Sequence, residues 1–399
     1  MSKKPKILYL SYDGLTDPLG QSQILAYLSR INKENGIEIT IISFDKPDVF
    51  EKNEKRVREI LGTTTIRWHS LVYHKSPPIL STIMDLRTGW KKIKSLYKKE
   101  NFDIVHCRGY MSAILGQKVK KKFGSKFIFD MRGWWPDEKL ESGLWESSLF
   151  KPIYKYFKKK EKQFFEESDI TVSLTYAGKK EIVENFHQPE SKVGVIPTCV
   201  DFDVFKAFNE DTRNSIREQL GIPKDAYVVI YSGSIGANYP PKDILNIYQS
   251  IETEKEKHFL ILSREPHSLI TNAANELNIK EKIHFASSEY DKVYQYLQAA
   301  DIGIILYKMA FSTIGRSPTK LGEYWACGIP AISLKGIGDL DFIQGKFNGT
   351  GLILRDHTFT GNEKLLSPEK SVLRENSLRY FDINTGVEFY QKLYYSLNF

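Results

Sequence analysis

Within the fourteen residues from Ser317 to Pro330, a lysine, a glutamate and a loop-to-helix junction fall together. Pro318 suits the first position of a helix and Ser317 the cap before it. Gly328 and Pro330 mark where the helix stops and the strand Ala331-Ile332-Ser333-Leu334 begins. The first turn of a helix presents unpaired backbone N–H groups and roughly half a unit of positive charge to an anion placed there. Lys320 adds a full charge in that turn, and Glu323, three residues on, shares its helical face. A cation suited to phosphate beside a carboxylate able to accept bonds from sugar hydroxyls is the chemistry of a nucleoside-diphosphate-sugar site. The same spacing also describes a solvated pair worth a few tenths of a kcal/mol, with Tyr324, Trp325 and Cys327 packing inward.

Two stretches in the first half of the chain, His106-Cys107-Arg108-Gly109 and Asp130-Met131-Arg132-Gly133-Trp134-Trp135-Pro136-Asp137-Glu138, place polar groups directly after apolar strand patterns. An unpaired buried charge costs several kcal/mol. These residues therefore either face a ligand or form an internal salt-bridge network of Arg108, Arg132, Asp130 and Glu138. One of Trp134 and Trp135 is expected in the core, the other against a sugar ring or an apolar acceptor. Two glycine-bearing loops follow likely strands: Asp13 to Gln23, which contains Gly20, and Ser232-Gly233-Ser234-Ile235-Gly236-Ala237-Asn238. Neither fits the G-x-G-x-x-G dinucleotide pattern. Asp339-Leu340-Asp341 mimics a metal-binding triplet, but no His, Cys or carboxylate cluster has ligand spacing, so no metal or other cofactor is expected.

The elements that position these loops alternate as βα units. Strands are predicted at Lys6–Tyr12, Ile37–Ser43, Thr65–Tyr73, Asp103–Cys107, Lys126–Asp130 and Asp169–Leu174. After a polar stretch from Ala207 to Lys224 a second series follows at Tyr227–Gly233, His258–Leu262, Lys282–Phe285, Asp301–Leu306 and Pro330–Leu334. This predicts an α/β protein of two Rossmann-like, doubly wound parallel-sheet domains, residues 1–205 and 206–380, with a terminal helix over 381–399. The two domains are expected to face a central cleft at the carboxyl ends of their strands, where ligands bind in such sheets.

A chain of 399 residues with 41% hydrophobic and 27% charged residues has ample core for two domains. No apolar run approaches the roughly 20 residues that cross a bilayer, and the Lys-rich N-terminus lacks a signal-peptide core; the expected location is the cytoplasm. Cys107, Cys199 and Cys327 are too dispersed for a disulfide framework. Charge is uneven: residues 1–200 hold 35 Lys and Arg against 24 Asp and Glu, the remainder 22 against 25. Basic, aromatic helical patterns near 88–100 and 151–165 suit either an anionic membrane surface or a core-packed helix with a solvated lysine face. Net charge alone would also admit nucleic acid, but no nucleic-acid motif accompanies it, and a filter-binding assay separates the two.

The Ser-Pro-Thr-Lys loop and the helix ending Ala326-Cys327-Gly328-Ile329-Pro330 resemble the donor site of glycosyltransferase family 4, the retaining enzymes of the GT-B fold. Asp17-Pro18-Leu19-Gly20-Gln21-Ser22-Gln23 resembles the glycine loop of a subset of that family, and Ile196-Pro197-Thr198-Cys199-Val200-Asp201 resembles its hinge signature. The resemblance implies that Lys320 holds the diphosphate and Glu323 the ribose hydroxyls. It further implies donor-contacting roles for Gly20, Gly233, Ser234, Arg264, Arg316, Ser317 and Thr319. It places His106, Arg108, Asp130, Arg132 and Glu138 near the acceptor and the transferred sugar. A terminal helix that returns to pack on the first domain is also implied. Where many members carry an earlier glutamate this chain has Gly315, and Ser234 stands where most carry arginine. The implied reaction moves a hexosyl- or N-acetylhexosaminyl-type sugar from a UDP- or GDP-sugar to a glycan or lipid-linked saccharide, without a metal. The site would lie at the inner face of a membrane in surface polysaccharide biosynthesis. A sugar-nucleotide epimerase shares the architecture, and isomerisation of the donor without an acceptor distinguishes it.

Overall fold

Among the described residues, all strand pairings in both sheets are parallel. The computed structural model describes residues 4–279, 282–347, 351–355 and 368–397. The first unit comprises residues 1–197 together with 383–399. Its seven strands are β1 Lys6–Ser11, β2 Glu38–Asp45, β3 Arg67–Val72, β4 Ile104–Arg108, β5 Lys126–Asp130, β6 Ile170–Ser173 and β7 Val193–Val195, in the order β3-β2-β1-β4-β5-β6-β7. The order reverses between β1 and β4, the position where open α/β sheets open a crevice beyond their strand ends. Tyr12 and Asp13 leave β1 there, beside Arg108 at the end of β4, which pairs with Ser11.

The second unit, residues 198–382, carries β8 Tyr227–Ser232, β9 Lys257–Leu262, β10 Ile283–Ala286, β11 Ile302–Ile304, β12 Ala331–Leu334 and β13 Leu352–Arg355. The order is β10-β9-β8-β11-β12-β13, with its reversal between β8 and β11. Strand β13 is not among the predicted strands: Leu352–Arg355 is an apolar run of three closed by an arginine, too short to stand out as a strand although Asn348-Gly349-Thr350-Gly351 precedes it. Apart from the half-buried edge strand β10, the strands of this unit are buried almost throughout, as sheets covered on both faces require.

The chain divides at Pro197/Thr198 rather than near 205. Val200 donates its N–H to the Phe381 carbonyl at 2.7 Å, and Phe205 is fully buried in the second core. Phe381 likewise ends a helix, Lys370–Phe381, that belongs to the second unit; the terminal helix runs from Ile383 to Ser396. That helix packs on the first unit, where Tyr390 lies edge-on to Tyr27 at 5.8 Å.

The two basic segments form the helices Leu80–Tyr97 and Lys151–Glu167. Ile93 and Leu96 of the first, and Phe157, Phe164 and Phe165 of the second, are buried in the core, whereas Leu80, Ile83 and Met84 of the first and Tyr156 of the second are exposed. Lys158 is directed to buried Glu161 at 2.5 Å and to Asp137 at 2.8 Å. Among the described residues no helix is long and apolar enough to cross a membrane.

Candidate active site

In the second unit, the loop after β8 and the helix Thr319–Ala326 meet at Gly233 and Lys320. Gly233 has φ of 115°, and a Cβ there would stand 3.0 Å from Lys320 Cε. Glycine is thus required twice, by backbone sign and by the lysine stem. Lys320 Nζ is buried without a hydrogen-bond partner. It lies 4.1 Å from the Tyr231 ring centroid and 5.1 Å from that of Tyr239. Such cation–π contacts return about 0.5–2 kcal/mol, less than the several kcal/mol that burying an ammonium costs. Burial pushes the Lys320 pKa down to about 7, partly opposed by Glu323, and burial pushes Glu323 up to about 7, partly opposed by Lys320. Among the described residues no ion pair within 4.0 Å joins the two.

The helix is fixed by close contacts. Tyr324 lies over Gly303 of β11, where a Cβ would come within 2.4 Å of its ring. The Tyr324 hydroxyl meets Ser232 N at 3.2 Å and Ser232 Oγ at 3.0 Å. Arg374 donates to the Ala326 carbonyl at 2.7 Å, closing the helix's carboxyl end. The helix begins at Thr319 with Pro318 at the cap, one residue later than predicted. Ser317 is not a side-chain cap, because its hydroxyl accepts the Thr198 N–H at 3.0 Å.

The remaining predicted donor residues separate into near and far. Arg316 stacks on Tyr307 at 5.4 Å, and Tyr307 in turn contacts Tyr239 at 5.2 Å, so Arg316 reaches the same aromatic cluster as Lys320. Thr319 opens the helix and Ser234 is exposed in the loop, its carbonyl taking the Tyr231 hydroxyl at 2.6 Å. Arg264 points elsewhere, to the Ser288 carbonyl and to Glu289 at 2.9 Å. Asp341 accepts the Gly336 N–H at 2.7 Å, which gives the Asp339–Asp341 triplet a loop-closing use. Gly20 lies in the first unit, and its missing side chain has a packing cause. A Cβ would stand 1.9 Å from the Gly14 carbonyl oxygen, so the glycine lets the loop fold on itself.

In the first unit, Asp130 is fully buried at the end of β5. It accepts the Tyr390 hydroxyl at 2.9 Å and lies 3.6 Å from His106 Nε2 and 3.7 Å from Arg132. Burial alone would raise its pKa, but Arg132, His106 and Arg108 outweigh that and hold it at about 2. Burial lowers the His106 pKa despite Asp130, keeping the imidazole neutral, and its Nδ1 meets the Tyr394 hydroxyl at 2.8 Å. Arg132 has a left-handed φ of 57°, which costs a non-glycine residue about 1 kcal/mol or more. Arg108 is 5% exposed, its Nε 3.5 Å from Asp13. Part of the predicted network therefore exists around Asp130. Glu138 stands on the short helix Trp135–Glu141, on the wall of a groove of about 980 Å³ that Trp135, Arg108 and Arg132 also line. Trp134 is the core tryptophan.

Two family models match in succession, "Glycosyltransferase Family 4" over residues 19–204 and "Glycosyl transferases group 1" over residues 212–357. The chain belongs to glycosyltransferase family 4. A D-inositol 3-phosphate glycosyltransferase of Thermobispora bispora is 22% identical over 267 residues, covering 63% of this chain and 59% of that relative's length. One of the same name from Kineococcus radiotolerans is 21% identical over 375 residues, 88% of this chain and 82% of the relative. Among solved structures, sucrose-phosphate synthase of Thermosynechococcus elongatus superposes with a TM-score of 0.72 at 14% identity, covering 98% of this chain and 99% of that one. Anabaena HepE, solved with UDP and glucose, gives 0.69 at 13% identity over 98% and 100%. Likeness at that identity establishes the two-domain GT-B fold.

Several residues at the sites of this family 4 glycosyltransferase escape a reading by spacing. Tyr231, Tyr239 and Tyr307 reach the Lys320 cluster from three separate segments; only their positions at or after β8 and β11, beside the sheet's reversal, hint at it. Asp85, 1% exposed, accepts the Tyr12 hydroxyl at 2.9 Å and His74 Nδ1 at 2.6 Å, beside the first-unit groove that Tyr12 lines. An aspartate flanked by Met84 and Leu86 in a helical pattern was its signal.

Proposed function

We propose that the second unit binds a nucleoside-diphosphate sugar and that the protein transfers the sugar, with retention and without a metal, to an acceptor hydroxyl held by the first unit. The observation that carries this reading is Lys320 Nζ, buried and unpartnered against the Gly233 loop. A diphosphate supplies the missing partner, and Glu323 on the same face accepts ribose hydroxyls. Complexes of HepE with UDP and glucose support UDP as the nucleotide; a GDP-sugar is the alternative donor. In such a transfer an oxocarbenium-like centre and an anionic leaving group develop together, so catalysis rests on positioning and on the cation beside the leaving diphosphate. Lys320 and the helix end take that role in place of a divalent ion, and the rate should persist in excess EDTA.

The acceptor in this reading is a glycan or lipid-linked saccharide of bacterial surface polysaccharide assembly, met at the cytoplasmic face of the membrane. The basic first unit supports it, and liposome flotation without binding to anionic lipid would count against it. The curated relatives' names favour a second acceptor class, a phosphorylated polyol. Donor identity is tested by thermal shift against UDP-, GDP- and dTDP-sugars, since a ligand at 100 times its Kd stabilises by about 2.7 kcal/mol. One base should shift the melting temperature well beyond the others. No shift with any of them removes the donor assignment.

A further inference from the structure

The first-unit groove joins two features that ordinary packing does not explain. Its polar end lies at the sheet's reversal, where Arg108 is 5% exposed with Nε and Nη1 lacking hydrogen-bond partners. The helix Gly109–Phe123 starts at the same point, and its first-turn residues Gly109, Tyr110 and Met111 line the groove, adding the positive end of a fifteen-residue helix. Lys75, Arg132 and Lys139 also line it, against Asp13, Asp17 and Glu138. Asp17 is occupied by Lys46 at 3.1 Å, and Asp13 approaches Arg108 only to 3.5 Å. The lining thus retains a net positive charge.

The other walls are apolar and open. Ile79, Ile83, Leu144, Trp145, Ile153 and Tyr156 line them. Ile79, Ile83, Leu144 and Tyr156 are 49%, 41%, 61% and 48% exposed. So much exposed aliphatic surface in one place marks a binding surface.

We propose that this groove binds an anionic amphiphile, a phosphate-bearing head at Arg108 with a long hydrocarbon chain along the apolar walls. A phosphate completes the guanidinium's empty donors in its preferred bidentate geometry. A chain laid on the rim covers aliphatic surface worth about 0.8 kcal/mol per buried CH₂. A purely apolar peptide would leave Arg108 Nε and Nη1 without hydrogen-bond acceptors, and free phosphate would leave the walls bare. The inference rests on the sugar-transfer reading only in making this amphiphile the acceptor's carrier.

The test uses the full chain and the fluorescence of Trp135 and Trp145, both in the groove wall. Dodecyl phosphate, dodecyl maltoside and inorganic phosphate are titrated below their aggregation limits. Dodecyl phosphate should bind at least tenfold more tightly than either of the others. Arg108→Gln should remove that preference. Because Arg108 is buried and its loss could unfold the unit, Ile83→Glu and Leu144→Glu on the exposed rim provide a second arm, each expected to weaken dodecyl phosphate at least fivefold. Equal binding of the phosphate and maltoside amphiphiles, or rim variants that bind as tightly as the wild type, would overturn the proposal. UDP binding is followed separately by thermal shift, so a groove that fails while UDP binds sinks this inference alone, and lost UDP binding sinks the sugar-transfer reading instead.

Discussion

Glu323 illustrates a conflict between stability and use at a single residue. Its carboxyl is raised to about 7 by burial, above the ordinary 4.5, so the stability of the protonated form is present below about pH 4.5 and is lost as pH rises through about 7. Lys320, lowered from 10.5 to about 7, penalises the fold below about 7, and the penalty fades as pH rises toward 10.5. Near neutrality the empty site is therefore electrostatically strained. Glu323→Gln should stabilise the empty second unit at pH 8 by about 1–2 kcal/mol, measured by thermal melt, whereas Glu323→Ala should weaken donor binding by about 1.5–3 kcal/mol, read by calorimetry. Unchanged donor affinity would remove the residue from the site. Donor affinity should also fall as pH rises above about 7, because a neutral Lys320 must take up a proton to meet the diphosphate. The pairing of Lys320 with Glu323 was legible from a three-residue spacing. The tyrosines around Lys320 were not, since contacts from three segments leave no period in the chain.

Glycines show what was legible at the level of elements. The stop at Gly328 (φ 74°) and the βα rhythm were readable from local signals, because turn chemistry and strand composition act over a few residues. Gly322 and Gly303 were opaque, since their cause is a neighbour distant in sequence. A Cβ on Gly322 would stand 2.6 Å from Val200 Cγ2 and 2.9 Å from Phe381 Cγ. Gly322→Ala gains about 1 kcal/mol of helix propensity but crowds a filled core, which costs about 1–3 kcal/mol. The crowding should win, lowering the urea midpoint of the second unit and shifting the helix Thr319–Ala326 enough to weaken binding of the proposed donor. A midpoint that rises would show that the crossing chain yields. The hydroxyl of Tyr390 offers a parallel case in the first unit. Tyr390→Phe leaves Asp130 without its 2.9 Å donor and should cost about 1–2 kcal/mol. Asp130, held at about 2 against 3.8 unfolded, keeps contributing stability above pH 3.8 and loses it as pH falls through about 2, so the loss should be visible at pH 5.

The whole chain folds as two units of unequal continuity. Residues 198–382 form an uninterrupted segment with a core of their own, whereas the first unit is built from 1–197 and the distant helix Ile383–Ser396. Tyr390 and Tyr394 of that helix supply hydroxyls to buried Asp130 and His106. Without them two buried polar groups lose partners and Tyr27 loses its cover, a cost of several kcal/mol against a typical total of 5–15. A segment of residues 198–382 expressed alone should therefore give a cooperative melt and retain UDP-sugar binding close to that of the full chain. Residues 1–197 alone should show reduced near-ultraviolet dichroism and a broad, early melt, recovering both when the terminal helix is rejoined through a short linker after residue 197. Donor binding lost from the isolated second segment would mean that first-unit residues hold the nucleotide, and the assignment centred on Lys320 would have to be shared.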